Sequence, residues 1–289
     1  MSAETAVKVL TSSTVRYSSP LLFNDPFDVQ AGLDLQLEPH ALHEPLLHRL
    51  QSLVLADTVP TFVDPAAPGA LAVRYGRQMA PTHGFPLERA REVLTPLFDL
   101  VGQHLERLRS EYQRHIWCEV LPSLRVFSVS EDRDNLLMWA HYADEHRGAV
   151  LEFQVSAEID NPLCIATQVA YLETPPPLFE AEEFLGHWFG TGVWDRHRIS
   201  LSRYAATKGL AWQHEREWRV WYPAEPAQEQ LYEDCAIRSK ELVAVYLGCR
   251  ISPRHRSQVL RALADNHQGV AAYGAQKAQS RFQLTFTAI

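Results

Sequence analysis

The chain has 289 residues, of which 46% are hydrophobic and 21% are charged, so it can bury a core without support from metals or disulfides. Its formal net charge of −8 argues against a generally basic nucleic-acid-binding surface, while a local basic groove stays open. No apolar stretch approaches the roughly 20 residues that cross a bilayer, and the first residues lack the profile of a secretory signal. We therefore expect a cytoplasmic protein with no membrane segment.

Hydrophobic periodicity and turn-forming residues predict the elements in chain order. Strands are predicted at 13–18, 124–130, 149–155, 165–172, 216–222, 242–247 and 282–287. Helices are predicted at 5–10, 40–56, 86–117, 179–189, 198–208 and 252–266, with a turn at 23–28 and a loop at 57–85. A further helix is predicted through 135–142, capped by Asp132 or Asp134 and ended by Gly148.

Strands and helices are interspersed without strict alternation, which favours a mixed sheet over a doubly wound one. The sequence therefore predicts a single α+β domain over residues 1–289, in which helices pack around a mixed, mostly antiparallel sheet. Residues from about 40 to 117 are predicted to form a helical insertion. The strands at 124–130, 149–155 and 216–222 are expected to belong to one sheet.

The segment Glu215–Arg219 concentrates charge on a predicted strand. Alternation places Glu215, Glu217 and Arg219 on one face, and the apolar residues of the strand on the face that packs on the core. Two carboxylates side by side on a strand repel each other, so one is expected to have a raised pKa or a role of its own. A solvated face on which Arg219 pairs with a carboxylate is the simpler interpretation.

Two weaker patterns accompany this segment. Ser128 and Ser130 share one side of a predicted strand, where hydroxyls can hold a carboxylate or a ribose. Trp139 and Tyr142 lie three residues apart on one helix face and can stack on a planar ring. The commoner roles are hydrogen bonds to backbone or water for such serines, and core packing for such aromatic residues.

Phosphate-loop, dinucleotide-binding, nucleophile-elbow and His-Glu-x-x-His motifs are absent from the sequence. The four cysteines lie far apart with no CxxC spacing, and the five-residue spacing of His141 and His146 is poor for joint metal ligation. The sequence therefore indicates no metal site.

Several segments, in order along nearly the whole chain, resemble the bacterial family known as domain of unknown function 2971. They are Arg16-Tyr-Ser-Ser-Pro20, Phe23-Asn-Asp-Pro-Phe-Asp28, Phe127-Ser-Val-Ser130, Met138-Trp-Ala-His-Tyr142 with Gly148, Trp212-Gln-His-Glu-Arg-Glu-Trp-Arg219, Val245-Tyr-Leu-Gly248, and Tyr273 with Phe282-Gln-Leu-Thr-Phe286. The family name implies no activity.

A looser resemblance implies a chemistry. Mono-ADP-ribosyltransferases of the arginine–serine–glutamate type carry an Arg on an early strand, then a Ser-x-Ser strand, then a Glu-x-Glu strand. The residues that follow this order here are Arg16, then Ser128 and Ser130, then Glu215 and Glu217.

This resemblance implies that NAD is the substrate and that Glu217 faces the oxocarbenium-like state formed when the nicotinamide–ribose bond breaks. Ser128 would position Glu217, and Glu215 would orient or deprotonate the acceptor. Arg16 would pair with a diphosphate oxygen. Ser130 would join the cofactor-binding residues, together with Trp139 or Tyr142 as a wall for the nicotinamide. No metal is required, the acceptor is a protein, a nucleic acid or water, and a toxin or anti-phage role fits such chemistry.

Two alternatives stay open. In one, the chain is a catalytically silent binding or regulatory module, and the Glu-x-Glu-Trp-Arg segment is a structural ion-pair network. In the other, it is a nuclease or hydrolase that uses Asp25, Asp28 and the glutamates around a divalent cation.

Overall fold

The computed structural model describes residues 1–30, 37–80, 84–155, 158, 161–177, 180–192, 204–225, 230–238 and 240–289. Its internal contacts define two compact units: unit 1 is Met1–Val29, Val120–Glu173 and Ala205–Ile289, and unit 2 is Gln30–Glu119 and Thr174–Tyr204. The predicted helical insertion at about 40–117 falls within unit 2. The number of independently folding domains stays a prediction.

The described helices and strands are as follows. The helices are α1 Ala3–Ser12, α2 His43–Leu55, α3 Pro68–Met79, α4 Leu87–Leu94, α5 Phe98–His115, α6 Leu121–Ser123, α7 Leu136–Tyr142, α8 Ala181–Trp188 and α9 Pro253–Asn266. The strands are β1 Thr14–Ser18, β2 Leu124–Ser130, β3 Ala149–Phe153, β4 Thr167–Gln168, β5 Ala170–Leu172, β6 Thr207–Gly209, β7 Glu217–Pro223, β8 Tyr232–Ala236, β9 Leu242–Leu247, β10 Ala271–Lys277 and β11 Leu284–Ala288.

The first sheet of unit 1 has the order β4-β7-β2-β1-β8, and each neighbouring pair in it is antiparallel. Its register places Ser128 opposite Arg219 and Ser130 opposite Glu217. The strands that carry the predicted arginine, serine and glutamate motifs, β1, β2 and β7, are therefore consecutive neighbours in one sheet.

The second sheet of unit 1 has the order β11-β10-β9-β3, in which only the β9–β10 pair is parallel. The strands β5 and β6 form a separate short parallel pair. A mixed, mostly antiparallel α+β fold is thus confirmed. The expectation that the strand at 149–155 shares a sheet with β2 and β7 is wrong, because β3 pairs with β9 in the second sheet.

The two faces of the first sheet differ in chemistry. Val15, Tyr17 and Val220 lie in an apolar core with buried residues of α1, α9 and β9. Strand alternation then directs the intervening residues to the opposite face. That second face carries the charged and hydroxyl side chains from which the candidate site is built.

The predicted loop at 57–85 is wrong over α3, and the reason lies in its glycines. Pro68 begins the helix, at a position where a backbone N–H has no partner within the helix. The missing N–H of proline therefore costs no helical hydrogen bond. A Cβ on Gly69 would come within 2.5 Å of Phe189, and a Cβ on Gly76 within 2.6 Å of Val54. These glycines allow close packing inside unit 2 rather than marking a loop.

Three other predictions need correction. The predicted helix at 86–117 is interrupted at Thr95–Leu97, where Pro96 lacks the N–H that a continuous helix requires. The cap of α7 is Asn135, whose side chain accepts from the N–H groups of Leu137 and Met138, and the helix ends well before Gly148. Part of the predicted helix at 198–208 lies outside the described residues, and the rest includes the start of β6.

Candidate functional site

Glu217 and Arg219 alternate onto one face of β7, as predicted, but Glu215 reaches that face by another route. Glu215 ends the 3₁₀ turn Leu210–Glu215, and Arg216 follows with φ of 45°, in the left-handed region. This single residue separates the turn from the strand. The three carboxylate and guanidinium side chains are buried, with Arg219 at 0% exposure, so the predicted solvated face is wrong.

Five charged side chains meet here, and we call them the charged cluster: Asp28, Lys208, Glu215, Glu217 and Arg219. Arg219 donates from Nε to Glu217 Oε1 at 2.7 Å, and from Nη2 to Glu217 Oε2 at 2.9 Å and to Asp28 Oδ2 at 2.7 Å. Lys208 Nζ lies 2.5 Å from Glu215 Oε2 and 3.2 Å from both Glu217 Oε2 and Asp28 Oδ2. The predicted pairing of Arg219 with a carboxylate is confirmed.

The surroundings of Glu217, Lys208 and Arg219 favour the charged form of each of these three side chains. Burial alone would raise the pKa of Glu217, but the hydrogen bonds and charge of Arg219, the charge of Lys208 and a hydrogen bond from Ser128 outweigh it and lower this pKa to about 2. Burial opposes ionisation of Lys208 and Arg219 as well, yet the neighbouring carboxylates raise both pKa values. The pKa of Glu217 is therefore lowered and not raised, because the cations outweigh the expected repulsion between neighbouring carboxylates.

Hydroxyl groups border the charged cluster. Tyr142 donates its hydroxyl to Glu215 Oε1 at 2.5 Å, and the Tyr171 hydroxyl accepts the backbone N–H of Glu217 at 2.8 Å. Ser128, which hydrogen-bonds to the Glu217 carboxylate, is exposed to solvent. Ser128 is therefore a solvent-exposed residue whose hydroxyl is bonded to a carboxylate that is itself 6% exposed.

The structure brings four of the predicted site residues together: Glu215, Glu217, Ser128 and Tyr142. Ser130 lies beside them, but its hydroxyl donates to the backbone oxygen of Glu215 at 2.7 Å and so holds the turn rather than a ligand.

The two remaining predicted residues lie apart from the charged cluster. Arg16 shares the face of Ser128 but forms a two-bond ion pair with Asp234, at 2.8 and 3.0 Å, and stacks on Tyr232. Trp139 is 1% exposed and lies in a second apolar core, on the face of β9 opposite to the first core. Its indole N–H donates to the Arg133 backbone oxygen. The indole packs in that core and offers no wall to a ligand at the charged cluster.

Lys208 is not predicted from the local sequence, and Asp28 is predicted to lie beside the glutamates only in the nuclease or hydrolase alternative. Lys208 lies among small apolar residues at the end of a predicted helix, and an isolated lysine there carries almost no signal. Asp28 is 191 residues from Arg219, and only its place in an aromatic turn marks it. Their meeting depends on long-range packing.

The cluster does not resemble a metal site. Across the ranges that the structure describes, no group of three or more His, Cys, Asp or Glu side chains is arranged to hold a metal ion. The Lys208 ammonium lies between the three carboxylates, where a divalent cation would have to bind. Asp25, named in the nuclease alternative, instead accepts the Phe27 N–H within its own turn.

A cavity of about 710 Å³ lies elsewhere in unit 1. Its lining includes Gln154, Arg238, Lys240, Asn266 and His267. The charged cluster does not contribute to this lining. The candidate site is the charged cluster, because its polar side chains converge and the pKa values of Lys208, Glu217 and Arg219 are shifted.

Comparison with known proteins identifies part of the chain. Residues 138–220 match the family described as "Protein of unknown function (DUF2971)". This stretch contains residues 138–142 of α7, Lys208 and the Glu-x-Glu-Trp-Arg segment. A search of curated proteins and a search of solved structures found no match. Among the described helices, none is long and apolar enough to cross a membrane.

Proposed function

We propose that this protein is an ADP-ribosyltransferase-like enzyme that cleaves the nicotinamide–ribose bond of NAD. The observation that carries the proposal is the placement of Arg16, Ser128 and Glu217 on three consecutive strands, with their side chains on one face of the sheet. In this proposal the row of a cation, a hydroxyl and a carboxylate binds a single extended ligand, for which Arg16 exchanges its partner Asp234.

The electrostatics support the reaction. Three carboxylates and two cations leave the cluster with one excess negative charge. In the proposed step the C1′–N bond breaks, its electron pair leaves with neutral nicotinamide, and water or another acceptor attacks C1′ and releases a proton. A fixed, ionised carboxylate stabilises the cationic ribose of that transition state. Glu217, with its pKa lowered to about 2, is ionised at neutral pH.

Two roles differ from those that the resemblance implies. Both Glu215 oxygens are engaged, by Tyr142 and Lys208, so Glu215 supports Lys208 in this proposal and does not act on the acceptor. Arg16 reaches a diphosphate only by exchanging Asp234 for it. The acceptor remains a protein, a nucleic acid or water, and a toxin or anti-phage role is part of the same proposal.

A second candidate, the catalytically silent module, has its own supporting observation. Glu217 is 6% exposed, and both its oxygens bind Arg219. A buried carboxylate with both oxygens bonded to an arginine can stabilise the fold without binding a substrate.

The test is the release of nicotinamide from NAD, measured by chromatography, for the wild type, Ser128→Ala and Ser257→Ala. Ser128→Ala removes the bond to Glu217 and should lower the rate at least tenfold. Ser257 lies on the exposed face of α9, so Ser257→Ala should leave the rate unchanged. Absence of release from the wild type, with and without protein or nucleic-acid acceptors, contradicts the enzyme.

Ligand linkage gives an independent measurement. A ligand at a hundredfold excess over its Kd stabilises the folded state by about 2.7 kcal/mol. Millimolar NAD should raise the melting temperature by several degrees, and magnesium or manganese should do little. The reverse pattern would favour the metal-dependent nuclease or hydrolase.

A further inference from the structure

The charged cluster has one carboxylate oxygen with no donor. Both oxygens of Glu215 and both of Glu217 accept hydrogen bonds, and Asp28 Oδ2 binds Arg219 and Lys208. Asp28 Oδ1 is buried and has no hydrogen-bond partner among the described residues. Asp28 is 4% exposed, so the oxygen is withdrawn from bulk water.

The missing donor therefore lies on a carboxylate of a cluster whose formal charge is −1. A buried acceptor without a partner is destabilising, and more so when it is charged. Native structures rarely keep such a group unless a ligand, an ordered water or a catalytic role accounts for it. The cluster as a whole lacks one positive charge and one N–H or O–H donor at this oxygen.

The segment around Asp28 forms one side of the site. The Phe23 ring lies 5.8 Å from the Arg219 guanidinium, and the Asn24 side chain hydrogen-bonds to the Tyr142 hydroxyl. Phe23, Asn24 and Asp28 therefore bring this turn against the cluster. Because Asp28 is 4% exposed, a ligand that binds Oδ1 has to displace part of its surroundings.

The backbone is strained at the end of the turn. Val29 has φ of 61°, in the left-handed region that β-branched residues avoid. Strain of this kind is destabilising and concentrates at ligand-binding and switching segments.

We propose that Asp28 Oδ1 binds the carboxamide N–H of the nicotinamide ring of NAD and so determines specificity for the amide over the acid. The inference rests on the proposed function and names the group that its site recognises. The oxidised ring carries one positive charge and its amide carries N–H donors, which together supply what the cluster lacks. A nicotinic acid ring carries a carboxylate at the same position, which Asp28 would repel.

The experiment uses two matched ligand pairs on the full chain. Calorimetry compares nicotinamide with nicotinic acid, and initial rates compare NAD with its deamidated acid analogue. A site that hydrogen-bonds an N–H rejects an analogue without it strongly, so wild type should prefer the amide at least about a hundredfold in kcat/KM. Asp28→Asn should reduce that preference to less than tenfold.

Asp25→Asn is the control, because Asp25 lies on the same turn, outside the cluster, and the amide keeps an oxygen for the Phe27 N–H. It should retain the preference. A wild type that treats amide and acid alike, or an Asp28→Asn variant that keeps full discrimination, overturns the assignment.

Failure of this inference is distinguishable from failure of the proposed function. Cleavage of NAD and of its acid analogue at equal rates would leave the enzyme standing and remove Asp28 from it. Binding of nicotinamide that depends on Asp28, without cleavage of NAD, would support the role of Asp28 and contradict the proposed enzyme. If Asp28→Asn does not fold, a crystal of the wild type soaked in nicotinamide provides the test. A nicotinamide amide nitrogen beyond hydrogen-bonding distance of Asp28 Oδ1 would contradict the proposal.

Discussion

Glu217 and Arg219, two residues apart on β7, form a buried ion pair with two parallel hydrogen bonds of 2.7 and 2.9 Å. A strand brings residues i and i+2 to the same face, and the planar guanidinium matches the two carboxylate oxygens. The pair is shared with Asp28 and Lys208, so a change at one position alters the balance of the whole cluster.

Removal of the guanidinium should strongly destabilise the protein. Arg219→Met keeps the length of the side chain but leaves Asp28 and Glu217 with less compensation, at an expected cost of about 3–5 kcal/mol in the free energy of unfolding. Arg216→Met is the control, since Arg216 is exposed and pairs with Asp132 at the surface, where a loss of about 0–1 kcal/mol is expected. Urea denaturation of both variants makes the comparison, and equal losses would show that the buried pair contributes nothing special.

Acid should weaken the cluster in a defined pH range. The pKa of Glu217 is lowered from 4.5 to about 2, so the unfolded chain binds the extra proton first as the pH falls. The stabilisation is complete above about pH 5 and is lost as the pH falls towards 2, with a magnitude on the order of 3 kcal/mol. Burial also lowers the pKa of His104 in unit 2 to about 4, so acid destabilises that unit too.

The contribution of Glu217 to the loss of stability in acid is therefore measured by comparing the unfolding free energies of wild type and Glu217→Gln. Unfolding free energies at pH 7 and pH 3 should show the smaller acid loss for the variant. Parallel pH curves for the two proteins would contradict the assignment.

The sequence predicts the face that carries the candidate site better than it predicts the members of that site. Alternation along β7 predicts that Glu217 and Arg219 share a face, and the pattern on β2 adds Ser128 to it. The departure of Glu215 from the strand depends on the left-handed Arg216, which has no glycine or asparagine to signal it. Lys208 and Asp28 join through contacts that no local pattern encodes.

Trp139 illustrates a second limit. Periodicity predicts that it shares a helix face with Tyr142, yet the two side chains have different surroundings. The Tyr142 hydroxyl reaches Glu215, while the Trp139 indole packs with Tyr246 and Phe286 against the second sheet. The arrangement of strands in the two sheets decides the surroundings of each side chain. The spacing of residues along one helix does not predict those surroundings.

Trp139→Ala should therefore behave as a core substitution. Removal of a buried indole is expected to cost about 3–5 kcal/mol. The increase in melting temperature that NAD produces should match that of the wild type at the same excess over Kd, because the indole does not touch the charged cluster. A stable variant with weakened NAD binding would instead indicate that Trp139 belongs to the NAD site.

The most direct test of the central claim is NAD cleavage by Glu217→Gln, with melting curves recorded on the same samples. The amide replaces an acceptor that faces Arg219 and Lys208, so a loss of roughly 1–3 kcal/mol in stability is expected from the unmade bond. The rate of nicotinamide release should fall about a hundredfold or more, in line with the removal of a well-placed electrostatic group. Glu131→Gln, which changes an exposed carboxylate bonded to the Trp218 indole, should keep both stability and rate near wild type. A wild type that never consumes NAD, together with a destabilised Glu217→Gln, would contradict the enzyme and leave the cluster as a structural ion-pair network.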